Sequence, residues 1–185
     1  MRHLPDTLSA TSPAIAPVNT TATAPVIDPA DYRKALSCFG TGVTVVTAHH
    51  EGQDWGMTCN SFTSVSLNPR LVLWCIRKEA SSLAAFTQSG GFSVSVLTEE
   101  QAATARQFAK GTMAERFAGE SVVRQSTKRL RLSQCVAWFD CTVSQQVDAG
   151  DHYVMIGHVH DFGWNDAHPL AFSRSHFAQF KPLPE

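Results

Sequence analysis

Residues 57–67 read MTCNSFTSVSL, inside a longer extended stretch from Trp55 to Leu67. A half-buried strand alternates apolar and polar residues. Here Thr58, Asn60, Ser61, Thr63, Ser64 and Ser66 put hydroxyls and an amide on both faces. Polar groups on a buried wall are costly unless something pairs with them. Two readings follow: a solvent-exposed Ser/Thr-rich edge strand, or a wall strand whose short donors meet a ligand. A flavin suits the second, since its ring edge offers carbonyls and nitrogens while its flat face needs only an apolar wall.

Outward from this stretch, the chain is mostly short strands. Val43–Ala48 is β-branched, Leu71–Ile76 is continuously apolar, and Phe92–Leu97 follows the same pattern. Val136–Val147 and His152–Phe162 read as a hairpin around Ala149-Gly150-Asp151, with Leu170–Phe172 and His176–Phe180 closing the chain. Helices are few. Asp28 suits an N-cap before Pro29, with Tyr32, Leu36 and Phe39 on one face and Gly40 as the stop. Ser81–Phe86 and Glu99–Ala109 read as two further helices, while Gly119–Leu132 has no clear pattern. Strands without regular strand–helix alternation predict a mainly β antiparallel barrel with short inserted helices, not a parallel sheet.

The bulk properties fit one ordinary domain: 185 residues, 43% hydrophobic and 17% charged, with net charge −1. No block of like charge is present, which argues against a nucleic-acid or anionic-membrane surface. No apolar stretch approaches the roughly 20 residues needed to span a bilayer. The five cysteines form no CxxC pair and read as reduced core thiols of a cytoplasmic protein. Residues 1–26 are rich in Ala, Thr, Pro and Ser and read as a disordered tail, leaving 27–185 as the domain.

Lys78, Ser81 and Ser82 together suggest an anion site, with capping serines as the structural alternative. Gly150-Asp151-His152 places a titratable imidazole beside a turn. Gly40-Thr41-Gly42 follows a helix and precedes a strand, the reverse of a dinucleotide-binding turn. His152, His158 and His160 share strand parity, but no Cys or carboxylate completes a metal set.

The string GMTCNSFTSVSLNPRLVLWCIRKEASS resembles the flavin-binding signature of the flavin-reductase-like family. The opening helix with FGTGVTVVTA, the FSVSVL strand, the QFA segment, the GDH turn and the closing PLAFSR occur in that family's order. The resemblance covers roughly Asp31 to Phe180. It implies an FMN-binding split β-barrel of Greek-key type, usually a homodimer. It further implies an NAD(P)H:flavin oxidoreductase that passes hydride to FMN (or FAD) and supplies reduced flavin to a partner monooxygenase. The alternative is a barrel with tightly held FMN acting on another substrate or as an electron carrier. By the same resemblance, Met57, Thr58, Asn60, Ser61, Thr63 and Ser64 would face the flavin, with Lys78, Ser81 and Ser82 by its phosphate. Phe108, Ala109, Arg174 and Phe177 would complete the cofactor contacts, and His152 would be the catalytic group. The family's closing Arg-Gly-x-Tyr appears here with Ser175 and Phe177, so an aromatic stacking role survives there without a hydroxyl.

Overall fold

A computed structural model describes residues 27–181 and Leu183; the expected tail over residues 1–26 lies outside the described residues. β-Branched and aromatic runs form the strands, because stiff χ1 rotamers suit a pleated surface. The chain opens with α1 (Pro29–Ser37), followed by β1 (Thr41–Gly42), β2 (Thr44–His50), β3 (Gln53–Cys59), β4 (Thr63–Leu67) and β5 (Arg70–Arg77). Next come α2 (Leu83–Gln88), β6 (Gly91–Val96), a single 3-10 turn at Glu99–Gln101, α3 (Ala102–Ala109) and α4 (Met113–Phe117). The rest is β7 (Val122–Arg124), β8 (Leu130–Leu132), β9 (Ala137–Ala149), β10 (His152–Trp164), β11 (Leu170–Ser173) and β12 (His176–Gln179).

Seven strands make one antiparallel sheet in the order β3-β2-β6-β9-β10-β5-β4. Its two edge strands, β3 and β4, are consecutive in the chain, with Asn60, Ser61 and Phe62 between them. Four Cα steps reach at most about 14 Å, so the sheet curls until its margins come together at this break. Trp55 to Leu67 is therefore not one long strand. Its first half pairs with β2 and its second half with β5. A three-stranded sheet, β1-β11-β12, and the β7-β8 ribbon lie outside the large sheet.

Two cores share β2. Val46 and Ala48 face Trp74, Ile76, Phe92, Val94, Cys141 and Met155, with Phe86 of α2 fully buried among them. Trp74 meets Phe86 and Phe92 edge-on at 5.0 and 5.7 Å between ring centroids. Val43 and Val45 instead join Leu97, Ala105, Phe108, Leu132 and Leu170. Burial on both sides explains why this strand carries no polar alternation.

The expected packing of α1 through Tyr32, Leu36 and Phe39 is not found: these side chains are 58, 56 and 78% exposed, and the helix buries no residue. Its C-terminus is instead fastened by the Arg174 N–H, which donates to the Ser37 carbonyl at 2.7 Å. The second helix starts at Leu83, two residues later than expected, with Ser82 as N-cap.

Candidate functional site

The end of β3 is held by hydroxyls of β3 and of the neighbouring β2. The Thr58 hydroxyl donates to the Ala105 carbonyl of α3 at 2.6 Å, and the Thr44 hydroxyl donates to the Cys59 carbonyl at 2.9 Å. Beyond the strand, the Ser61 hydroxyl accepts the Cys75 N–H at 2.8 Å and lies 3.1 Å from the Cys59 sulfur. Thr58 and Ser61 thus spend their polar groups on the wall itself. Asn60 differs: it is exposed, and its amide makes no hydrogen bond among the described residues. That leaves both a donor and an acceptor for a ligand.

Two clefts meet at Thr58, Cys59 and Asn60. One, of about 300 Å³, has an apolar lining from Val43, Ala105, Ala109, Phe172 and Phe177, with Arg106 and Lys110 also on its wall. The Arg106 guanidinium stands 4.9 Å from the Phe177 ring centroid, a cation–π contact. The other, of about 260 Å³, is lined by Met57, Ser61, Cys75, Arg77, Ala80 and His152. Side by side they fall within the roughly 300–1,000 Å³ range of small-molecule sites. A flat ring with a polar edge fits this pairing, because the apolar walls flank the unpaired Asn60 amide.

His152 opens β10 directly opposite Arg77 of β5. Its Nδ1 lies 2.7 Å from the Asp151 carboxylate. That hydrogen bond holds the Asp151 pKa below the usual carboxylate value. With Nδ1–H donating there, Nε2 is the nitrogen left for a ligand. The preceding turn needs Gly150, whose φ is 65°, and the Asp151 carbonyl accepts the Lys78 N–H at 2.9 Å.

Of the residues expected at the site, Met57, Thr58, Asn60, Ser61, Ala109, Phe177 and His152 line these clefts. Phe108 does not: it is wholly buried beneath, 5.0 Å from Phe117 and edge-on. Thr63 and Ser64 lie past the strand break; Ser64 lines a separate apolar groove with Leu67, Phe139, Val159 and Phe162. Lys78 is turned to Asp148, with its ammonium 2.8 Å from both carboxylate oxygens. Ser82 is buried, its hydroxyl 3.8 Å from the Met57 sulfur, while Ser81 is exposed in the turn. Arg174 sits at the β11–β12 turn beside α1, along a different groove.

Arg77, Ala80, Arg106 and Lys110 line the clefts although nothing singled them out in the sequence. Two signals could have found three of them, though not Ala80. Ala105, Arg106, Ala109 and Lys110 form one stripe at helical spacing, and a hairpin register carrying His152 to β5 lands on Arg77.

Among the described residues, no cluster of His, Cys, Asp or Glu could hold a metal ion; His160 instead lies 2.6 Å from the Thr142 hydroxyl. All five cysteines are free thiols. Burial raises the thiols of Cys59 and Cys135, and it pushes that of Cys141 up to about 12. Among the described residues, no helix is long and apolar enough to cross a membrane.

A curled antiparallel sheet with two clefts at its margin makes a small, mainly β domain with room for a small molecule. Residues 36–181 match the flavin reductase like domain, and the chain belongs to that family. It is 37% identical over 152 residues to the stachydrine N-demethylase reductase subunit Stc3 of Rhizobium meliloti (strain 1021), covering 82% of this chain and 66% of that protein. It is 36% identical over 160 residues to the flavin-dependent monooxygenase reductase subunit HsaB of Rhodococcus jostii (strain RHA1), covering 86% and 82% of the two chains. Among solved structures, the Streptomyces globisporus C-1027 NADH:FAD oxidoreductase SgcE6, in complex with NAD and FAD fragments, superposes with a TM-score of 0.79 at 35% identity. That superposition covers 86% of this chain and 98% of the other. Against another Rhizobium meliloti relative, 39% identical, the chain spans 49% of the length.

Proposed function

We propose that this protein is an NAD(P)H-dependent flavin reductase that moves hydride from reduced nicotinamide to FMN or FAD and releases the product to a partner monooxygenase. The observation that carries the reading is the meeting of two clefts at Asn60, one apolar and aromatic, the other carrying Arg77 and His152.

The flavin supplies the hydride-accepting chemistry when bound, so the protein's part is binding, orientation and electrostatics. Asn60 presents its amide to the ring edge. Phe172, Phe177 and the small Ala105 and Ala109 give an apolar floor and exclude water. Arg77, on the wall of the second cleft, would stabilise the negative charge of a reduced ring held there. His152, held by Asp151, either orients the nicotinamide amide through Nε2 or gives a proton there.

Split-barrel architecture with Greek-key connections, homodimerisation and a cytoplasmic location belong to the same proposal. The converging margins of the sheet support the first. The second draws support from the edge strand β4, where Leu67 is 90% exposed beside the apolar groove. Five free thiols support the third.

The test is to mix the purified protein with NADH or NADPH, with and without added FMN or FAD, and follow nicotinamide oxidation. Turnover that rises with free flavin is expected. A protein that binds no flavin by fluorescence quenching ends the proposal.

A further inference from the structure

An open surface groove lies outside the paired clefts. It has a volume of about 510 Å³ and runs between α1 and the β11–β12 turn, with the exposed Arg33, Lys34 and Arg174 along it beside Ser37. Ala30, Arg33, Lys34 and Ser37 follow the i, i+3, i+4, i+7 spacing of a single helix face. That face normally carries the apolar residues that dock a helix, but here it carries two cations across from a third.

The three cations have no carboxylate in ion-pair range among the described residues, and none lines the groove. The Asp28 carboxylate is occupied at the other end of the helix, accepting the Ala30 N–H at 2.8 Å. Cations near a helix C-terminus ordinarily satisfy its last carbonyls, but these carbonyls have other donors. Lys34 O accepts from the Ser37 hydroxyl and the Cys38 thiol, and Ala35 O accepts the Cys38 N–H. Leu36 O accepts the Phe39 N–H, and Ser37 O accepts the Arg174 N–H. The guanidinium and ammonium groups are therefore available to something else.

Arg174 and Ser175 have φ of 49° and 65°, so both turn residues sit in the left-handed region, the signature of a tight two-residue hairpin turn. The turn holds Arg174 against α1, while Phe172 and Phe177 of the same hairpin line the apolar cleft. At about 3.3 Å per strand residue, Arg174 is roughly 7 Å along the chain from Phe172.

We infer that Arg33, Lys34 and Arg174 form a site for a phosphate of a dinucleotide whose reactive ring occupies the neighbouring clefts. Three donors of positive charge, two of them forked guanidinium groups, match a phosphate better than any neutral group. The 2′-phosphate of NADPH and the pyrophosphate of FAD offer the same chemistry. The inference rests on the reductase reading for its ligands but not for its geometry.

The experiment uses the full chain and an R33A/K34A variant. Calorimetry with 2′,5′-ADP and with adenosine 5′-phosphate tests the unmodified protein directly, without any turnover. Binding that favours 2′,5′-ADP, weakens with salt and drops on the order of ten-fold in the variant supports the inference with NADPH as the source. The NADPH-to-NADH ratio of KM then rises on the same order. If the variant instead raises the FAD-to-FMN ratio of Kd, the inference stands with the pyrophosphate as the source. The inference is overturned if the unmodified protein does not distinguish the two adenosine phosphates and neither ratio moves in the variant. Absence of nicotinamide oxidation by the unmodified protein would count against the reductase reading alone, since the calorimetry still judges the phosphate site.

Discussion

The Cys75 N–H donates to the Ser61 hydroxyl oxygen at 2.8 Å, so the break between β3 and β4 is pinned to the middle of the sheet's next-to-last strand. Ser61→Ala leaves that amide without its partner in a half-buried place. The expected loss is about 1–3 kcal/mol, read as a lower urea midpoint at unchanged m-value. Equal midpoints would mean that water replaces the hydroxyl.

Asn60 is exposed, so Asn60→Ala should leave the melting temperature unchanged. It should weaken flavin binding roughly 3–10-fold, the worth of one or two side-chain hydrogen bonds. Fluorescence quenching titrations measure this. An unaltered Kd would remove Asn60 from the site.

Gly56 lies under two aromatic rings. A methyl group there would stand 2.6 Å from Phe108 and 2.9 Å from Phe117. Gly56→Ala is therefore expected to cost about 1–3 kcal/mol by overpacking, or roughly 3–10 °C in Tm for a domain of this size. Differential scanning calorimetry decides it.

Asp54 sets part of the acid response. Burial raises its pKa, but hydrogen bonds from Arg124 and His49 outweigh that and hold it below the usual carboxylate value. A depressed carboxylate stabilises the fold above its unfolded pKa and loses that contribution as pH falls through the folded one. Arg124 is about half exposed, so the pair is worth at most about 1 kcal/mol. Tm profiles of the unmodified protein and Asp54→Asn should separate near neutrality and converge at the acid end. Parallel profiles would contradict this.

The buried pair is a larger matter. Arg129 and Asp140 meet at 2.7 Å, and the Thr127 hydroxyl also donates to Asp140 at 2.6 Å. Arg129→Ala strands a buried carboxylate and is expected to cost about 3–5 kcal/mol. Replacing both partners, as Arg129→Met with Asp140→Leu, should cost much less, and denaturant melts of the two variants measure the difference.

The β9–β10 hairpin was legible because alternation and a Gly-Asp turn mark both its strands and its reversal. β2 was legible as a strand from its β-branched run, but its burial on both faces was not, because Thr44 and Thr47 interrupt the apolar residues. The break after Cys59 was not, because Ser and Thr continue across it without any change of composition. What ends the strand is the Ser61 bond to Cys75, a contact 14 residues away in sequence. α4 fell between the helix expected to end at Ala109 and the unpatterned stretch from Gly119, and no element was expected there, although Thr112 and Glu115 form a capping box. The Gln107 amide completes that helix by donating to the carbonyls of Glu115, Arg116 and Ala118, a long-range tie that no local pattern displays. At the clefts, Met57, Thr58, Asn60 and Ser61, singled out in the sequence, do line the walls. The hydroxyls of Thr58 and Ser61 also fasten the wall, and the cations lining the clefts are Arg77, Arg106 and Lys110, while Lys78 pairs with Asp148.

A sheet whose first and last strands adjoin in sequence behaves like a hoop with one riveted seam. Anything lodged between Asn60 and His152 bridges from that seam to the start of β10. Occupancy should then slow amide exchange at the end of β3 and the start of β10 well before it protects the far strands.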